Sequence, residues 1–265
     1  MRGRRSGTFG REHWSEKFYG GTLFYDHASG CIFVKHQVSL GATDTIRSLK
    51  SVVQEAMQCG VEIKKIRTDN GSDLTSQEFC EQLESNKQVM ELSAVGAHHQ
   101  NGVAERNIGV VHAMSRALLL HLKIMWPDEF SADLWPFAID CAVHIHNHVP
   151  RKGGLSPMEI FCGTRIDCKP LKKARVFGCP AYVLDPRIQD GKKILKWEPK
   201  AHLGQFLGFS LEHASNVGLI RNMETGWISP QFHIVCNEPF QTVALEHNID
   251  LSETWIDLFV SSQDN

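Results

Sequence analysis

The sequence predicts a mixed α/β sheet with helices on its faces, followed by a small all-β unit. Three observations carry this. Up to about residue 148, strand-like runs and segments with apolar residues at helical spacing follow one another as ββαβαβαα. Two of those strands read as a hairpin and two are preceded by helices, the pattern of a mixed sheet. Beyond Pro170 the strand-like runs become short, are broken by Gly, Pro and Asn, and no convincing helix interrupts them, which points to a small β-barrel.

Residues 21–27 (GTLFYDH) and 31–39 (CIFVKHQVS) are apolar or loosely alternating, and Ala28-Ser29-Gly30 between them is a tight-turn signal, so they predict an antiparallel hairpin. Residues 42–59 place Ile46, Leu49, Val53 and Met57 at helical spacing, with Gly60 as a stop. Residues 61–68 (VEIKKIRT) predict a strand ending at the turn signature Asp69-Asn70-Gly71. Residues 75–86 predict a short helix with Ser76 as N-cap, and 89–95 a short strand. Gly102 opens a long helix to Leu122 with Val103, Val110, Val111, Met114 and Leu118 on one stripe, and residues 132–148 predict another helix closed by Val149-Pro150. The β-like runs of the second part are 174–184, 204–209, 217–221 and 226–235.

The chain of 265 residues is 42% hydrophobic and 22% charged, ordinary values for a folded protein and unlike those of a disordered one. No apolar run reads as membrane-spanning, and no membrane association is expected. The basic start MRGRRSGTFGREHW is not followed by an apolar region and does not read as a secretory signal. Eight scattered cysteines form no C-x-x-C pair, which reads as reduced thiols. Residues 151–200 hold twelve Lys and Arg against five Asp and Glu, whereas residues 201–265 hold one against eight. The basic band can meet phosphates, with an affinity that falls with salt, or can be a solvated linker.

Two carboxylates stand where phosphoryl chemistry would want them. Asp69 follows the end of a predicted strand, at the sheet edge. Glu105 lies in the first turn of the long helix, where the helix dipole favours its charge. Cutting or joining a phosphodiester puts negative charge on the attacking and leaving oxygens. Two Mg²⁺ or Mn²⁺ ions roughly 3.5–4 Å apart stabilise both, and such hard ions take oxygen ligands.

Thr68-Asp69-Asn70-Gly71 and Gln100-Asn101-Gly102-Val103-Ala104-Glu105-Arg106, with 35 residues between the two acids, resemble the second and third signatures of retroviral and copia-type retrotransposon integrases. Leu134-Trp135-Pro136-Phe137-Ala138 through Asn147 is similar to the helix after the core in that family. Leu155-Ser156-Pro157-Met158-Glu159 is similar to its "TPYE" segment. Arg175-Val176-Phe177-Gly178-Cys179-Pro180-Ala181-Tyr182 and Phe206-Leu207-Gly208-Phe209 resemble the SH3-like domain that follows. The resemblance covers about residues 20–240.

The resemblance implies an RNase H-like core over residues 19–165, a basic linker at 166–173 and an SH3-like β-domain at 174–240. A basic remnant (1–18) and an acidic tail (241–265) flank them. It implies two divalent ions in intact relatives, held by Asp69, Glu105 and a first acid on an opening strand. Water then attacks near the end of the element's DNA, and the freed 3′-hydroxyl attacks a target phosphodiester. It implies DNA as partner, a multimer of the chain to handle two DNA ends, and a nuclear location, with the cytoplasm as alternative. Phe24 to Gly30 resemble the family's second strand, so the opening strand is expected to be absent and the chain to be an N-terminally truncated piece of a polyprotein; Asp26 is the other candidate for the first acid. Without a third carboxylate, metal binding and activity should fall. A second reading is therefore a catalytically inactive relic that binds nucleic acid or an integrase partner. An RNase H-type nuclease shares the fold but lacks the NGVAER segment and the β-tail.

By this resemblance Gln100, Asn101 and Gly102 form the loop beside the active site, where they can touch DNA or be an ordinary polar loop. Arg106 can contact a phosphate or pair with a carboxylate, and Lys172 and Lys173 of the basic band are candidates for phosphate contacts. His144, His146 and His148 close the second long helix, where the preferred reading is an imidazolium at a helix C-terminus rather than a metal site. Trp197, among Lys192, Lys193, Lys196 and Lys200, can stack on a base, but core packing is the preferred reading.

Overall fold

A computed structural model of the chain describes residues 18–68, 75–92, 102–166, 169–210, 213–214 and 216–243. Strand β1 (Gly20–Tyr25) pairs antiparallel with β2 (Ile32–Gln37), with Tyr25 opposite Ile32 at the turn end. The predicted turn is there. Gly30 adopts φ +74°, and a Cβ on it would stand 2.6 Å from an Arg151 guanidinium nitrogen, so the position needs glycine twice over.

Helix α1 (Ala42–Gln58) packs on both strands. Its buried side is Leu49, Val52 and Ala56, with Ile46 and Val53 at its margin. Met57, expected on the apolar stripe, is 69% exposed: the helix is rotated so that Ala56 faces the core instead. Strand β3 (Lys65–Thr68), helix α2 (Gln77–Ser85) and strand β4 (Val89–Leu92) form a βαβ unit with the two strands parallel, Thr68 opposite Leu92. Ser76 caps α2 as its type and position predict, accepting from the Phe79 N–H.

The two strand pairs are separate ladders among the described residues. They share one core, in which Phe24 of β1, Ile66 of β3 and Met90 of β4 pack with Leu49 of α1 and Phe79 and Leu83 of α2. The observed class is mixed α/β.

Helix α3 (Gly102–Met125) packs on β1 and on α4 (Trp135–His148), which packs on β2. With 24 residues, α3 is long and apolar enough to cross a membrane by length and composition, which corrects the reading that no run qualifies; a scan for unbroken apolar runs overlooks a helix with charges spread along it. Helix α3 packs on α4, and Val111, Ser115 and Leu122 are its buried residues. Buried Asn147 of α4 clamps β2, its Oδ1 accepting from Ile32 N–H at 2.9 Å and its Nδ2 donating to Ile32 O at 2.7 Å.

Helix α5 (Pro157–Cys162) begins with a reciprocal capping box between Ser156 and Glu159, with Pro157 at its first turn. A five-residue helix α6 (Lys169–Lys173) follows. The second part contains β5 (Pro180–Leu184), the one-turn helix α7 (Pro186–Gln189), β6 (Ala201–Phe209), β7 (Gly218–Asn222), β8 (Ile228–Gln231) and β9 (Ile234–Cys236). The expected run 226–235 is thus two strands, and α7 interrupts a stretch expected to lack helix.

These strands form one antiparallel sheet in the order β8-β7-β6-β5-β9. Flat, its outer strands would lie about 19 Å apart at about 4.8 Å per spacing. Yet the three steps from Gln231 to Ile234 reach about 11 Å at most. The sheet must therefore curl enough to bring the end of β8 near the start of β9.

The largest core joins both parts. Leu122, Phe137 and Ala138 of the helical pair, and Trp126 between the two helices in the chain, pack with Phe177, Val183, Phe206 and Ile220 of the β-part. The Trp126 indole donates to Gly178 O at 2.8 Å.

Candidate functional site

Strand β3 carries the chain to Thr68, which is buried at 7% exposure. The next residue in the sequence is Asp69. Asp69, Gln100 and Asn101 lie outside the described residues. On the other side, Gly102 begins α3, and Glu105 and Arg106 are both exposed in its first turns. Glu105 is the acidic residue of the first turn, where the unpaired N–H groups and the dipole favour a carboxylate. A Cβ added at Gly102 or Gly109 would meet nothing within 4 Å among the described residues.

Glu91, the acid of β4, has another task. Lys65 and Arg67 of β3 hold its carboxylate at 2.6 and 3.0 Å and keep it below the usual carboxylate range, which ties the parallel strands together just before Thr68. Among the described residues no cluster of three or more Asp, Glu, His or Cys is placed to hold a metal ion.

Asp26 lies at the β1–β2 turn. Its Oδ2 accepts from the Ser29 N–H at 2.8 Å and the Ser29 hydroxyl at 2.6 Å, while its main-chain N–H donates to Cys31 O. This is a turn-capping arrangement, in which the carboxylate satisfies the backbone of its own loop. Beneath the turn, burial pushes the Cys31 thiol up to about 12.

Lys172 and Lys173 are exposed on the last turn of α6. Lys173 lines an open groove of about 560 Å³ with Arg175, Phe232, Val235 and Glu238. Arg175 pairs with Glu238 at 3.4 Å.

Two preferences read from the sequence are corrected. Trp197 is 88% exposed rather than in the core, because it sits on a turn outside the sheet. Its place among lysines was the signal that could have found it. Nor does the end of α4 favour imidazolium at two of its histidines. Burial and the neighbouring His148 lower His144 to about 4, and burial lowers His146. Desolvation there outweighs the helix dipole.

Comparison with known proteins finds no matching family model. The chain is 30% identical over 137 residues, 51% of its length, to the Retrovirus-related Pol polyprotein from transposon TNT 1-94 of Nicotiana tabacum. It spans about a tenth (10%) of that polyprotein. This similarity bears out the retrotransposon resemblance read from the motifs. Among solved structures, the catalytic core domain of HTLV-2 integrase in complex with magnesium is 22% identical, with a TM-score of 0.42, over 53% of this chain and 83% of that one. A chain of the simian T-cell lymphotropic virus intasome in complex with PP2A regulatory subunit B56 gamma is 20% identical, with a TM-score of 0.43, over 81% of this chain and 70% of that one. The BIV integrase core is 14% identical, with a TM-score of 0.40, over 54% and 92%.

Proposed function

We propose that this relative of a retrotransposon Pol polyprotein is an integrase core of RNase H-like fold, followed by an SH3-like barrel, and that it acts on DNA by metal-dependent polynucleotidyl transfer. The observation that carries the reading is the placement of two acids: Asp69 directly follows the last residue of β3, and Glu105 occupies the first turn of α3 after 35 intervening residues. Hard carboxylate oxygens suit Mg²⁺ or Mn²⁺, and the exposure of Glu105 in the first turn of α3 fits that donor set. Asp69 and Glu105 would hold the ions, two in intact relatives, which supply charge stabilisation at the attacking and leaving oxygens.

The remaining roles belong to the chain's own groups. Gln100, Asn101 and Gly102 hydrogen-bond the DNA beside the acids, and Arg106 neutralises a phosphate. Lys172 and Lys173 extend the phosphate contacts along the basic band, giving salt-sensitive affinity. A second copy of the chain handles the second DNA end, and the work is done in the nucleus.

The turn-capping role of Asp26 favours a second reading, in which a first acid is lacking and the chain binds nucleic acid or integrase partners without chemistry. Strand-transfer assays of the purified chain in Mg²⁺ and Mn²⁺, with Asp69→Asn and Glu105→Gln as controls, separate the two. Transfer lost in both variants supports the enzyme. DNA binding without transfer supports the second reading, and neither binding nor transfer overturns both.

A further inference from the structure

Burying an indole removes some 150–250 Å² from water, so a tryptophan left outside on a rigid support forgoes a large stabilisation. Trp197 is such a residue. Its neighbour Leu195 is 78% exposed as well. The segment that carries them is held firmly. The Glu198 N–H donates to Leu195 O at 3.1 Å, closing a turn with Lys196 and Trp197 at its tip. The Leu195 N–H returns a 3.3 Å bond to the Glu198 carboxylate. That carboxylate is also bound by Arg187 of α7 at 3.0 Å, and Arg187 is fixed in turn by Asp185 at 2.9 Å.

The surroundings are cationic. Lys196 Nζ lies 5.1 Å from the centroid of the Trp197 ring, and Lys193 and Lys200 are exposed nearby. An aromatic face flanked by ammonium groups suits a nucleotide whose base is free to stack and whose phosphates need neutralising. A base inside a duplex cannot offer its face, whereas an unpaired one can.

We propose that the Leu195–Glu198 turn is a binding site for single-stranded nucleic acid, with the Trp197 indole stacking on an unpaired base and Lys196 and its neighbours meeting the adjacent phosphates. This rests on the nucleic-acid reading above and adds a second contact surface, borne by the β-part and separate in the chain from Asp69 and Glu105. It suits a protein that must hold a frayed or processed strand end as well as a duplex.

The test is fluorescence anisotropy on the full chain with a labelled oligothymidylate of roughly 20 nucleotides and a duplex of the same length. Trp197→Ala should weaken single-strand binding on the order of ten-fold while leaving duplex affinity within about two-fold. Trp197→Phe should keep most of the single-strand affinity. Lys196→Ala should weaken both ligands and flatten their salt dependence. Because Trp197 is 88% exposed, its variants should unfold at the wild-type temperature, and circular dichroism verifies that. Single-strand binding unchanged in Trp197→Ala overturns the site, including the case in which the indole serves a protein partner. Wild-type protein that binds neither ligand overturns both this site and the reading on which it rests.

Discussion

The carboxylate of Asp26 accepts two hydrogen bonds from Ser29 within four residues of chain, so its effect is local. Replacing Asp26 by Ala should cost about 1 kcal/mol, the typical value of a lost side-chain cap, measured by urea unfolding. The same substitution should leave Mn²⁺ affinity unchanged if the carboxylate serves only the turn. His144 gives the second test at this scale. Its folded-state value, about 4, lies below its ordinary 6.5, so the folded chain prefers the neutral ring. Stability linked to this group is fully present above pH 6.5 and is lost as the pH falls toward 4. Unfolding free energy measured across that window should therefore fall less steeply in His144→Gln than in wild type. Neither role was legible in the sequence. Asp26 and His144 are residue types suited to chemistry, and only the hydrogen bonds of the one and the burial of the other reveal their structural work.

Among the elements, much of the resemblance turns out to be packing and capping. Ser156, Pro157 and Glu159 start α5; Phe177, Gly178 and Cys179 enter the shared core; Asn147 clamps β2 to α4. Asn147→Ala should leave the buried Ile32 N–H and carbonyl without partners, at a cost of roughly 2–4 kcal/mol in chemical denaturation. Gly178 has φ +76°, and a Cβ on it would stand 2.2 Å from Leu122 Cδ1. Gly178→Ala should thus cost about 2 kcal/mol or more. Leu122→Ala, which empties that space, should make the double variant less destabilised than the sum of the singles. Helices and strands were legible because apolar period and caps are local signals; Ser76 and the Ala28-Ser29-Gly30 turn are examples. The rotation of α1 that exposes Met57, and the division of 226–235 into β8 and β9, were not legible. Both depend on neighbours distant in sequence, namely the β1–β2 hairpin and the curled sheet.

For the whole molecule, the helical pair α3–α4 links the two parts. Leu122 of α3 and Trp126 just after it are buried with the β-part, and Glu105 in the first turn of α3 is exposed. Asp69 lies outside the described residues; the position of Glu105 in the first turn of α3 was legible from helical period, because helix starts have local signatures. That a single core would run from α3 into the sheet was not, since no local pattern encodes which surfaces meet. The central claim is that Asp69 and Glu105 act together on divalent ions. Titrating Mn²⁺ into the full chain, with electron paramagnetic resonance reporting the free ion, tests it directly. Saturable binding that weakens at least about ten-fold in Asp69→Asn and in Glu105→Gln, with little further loss in the double variant, is the predicted result. Binding of equal strength in wild type and both variants would contradict it.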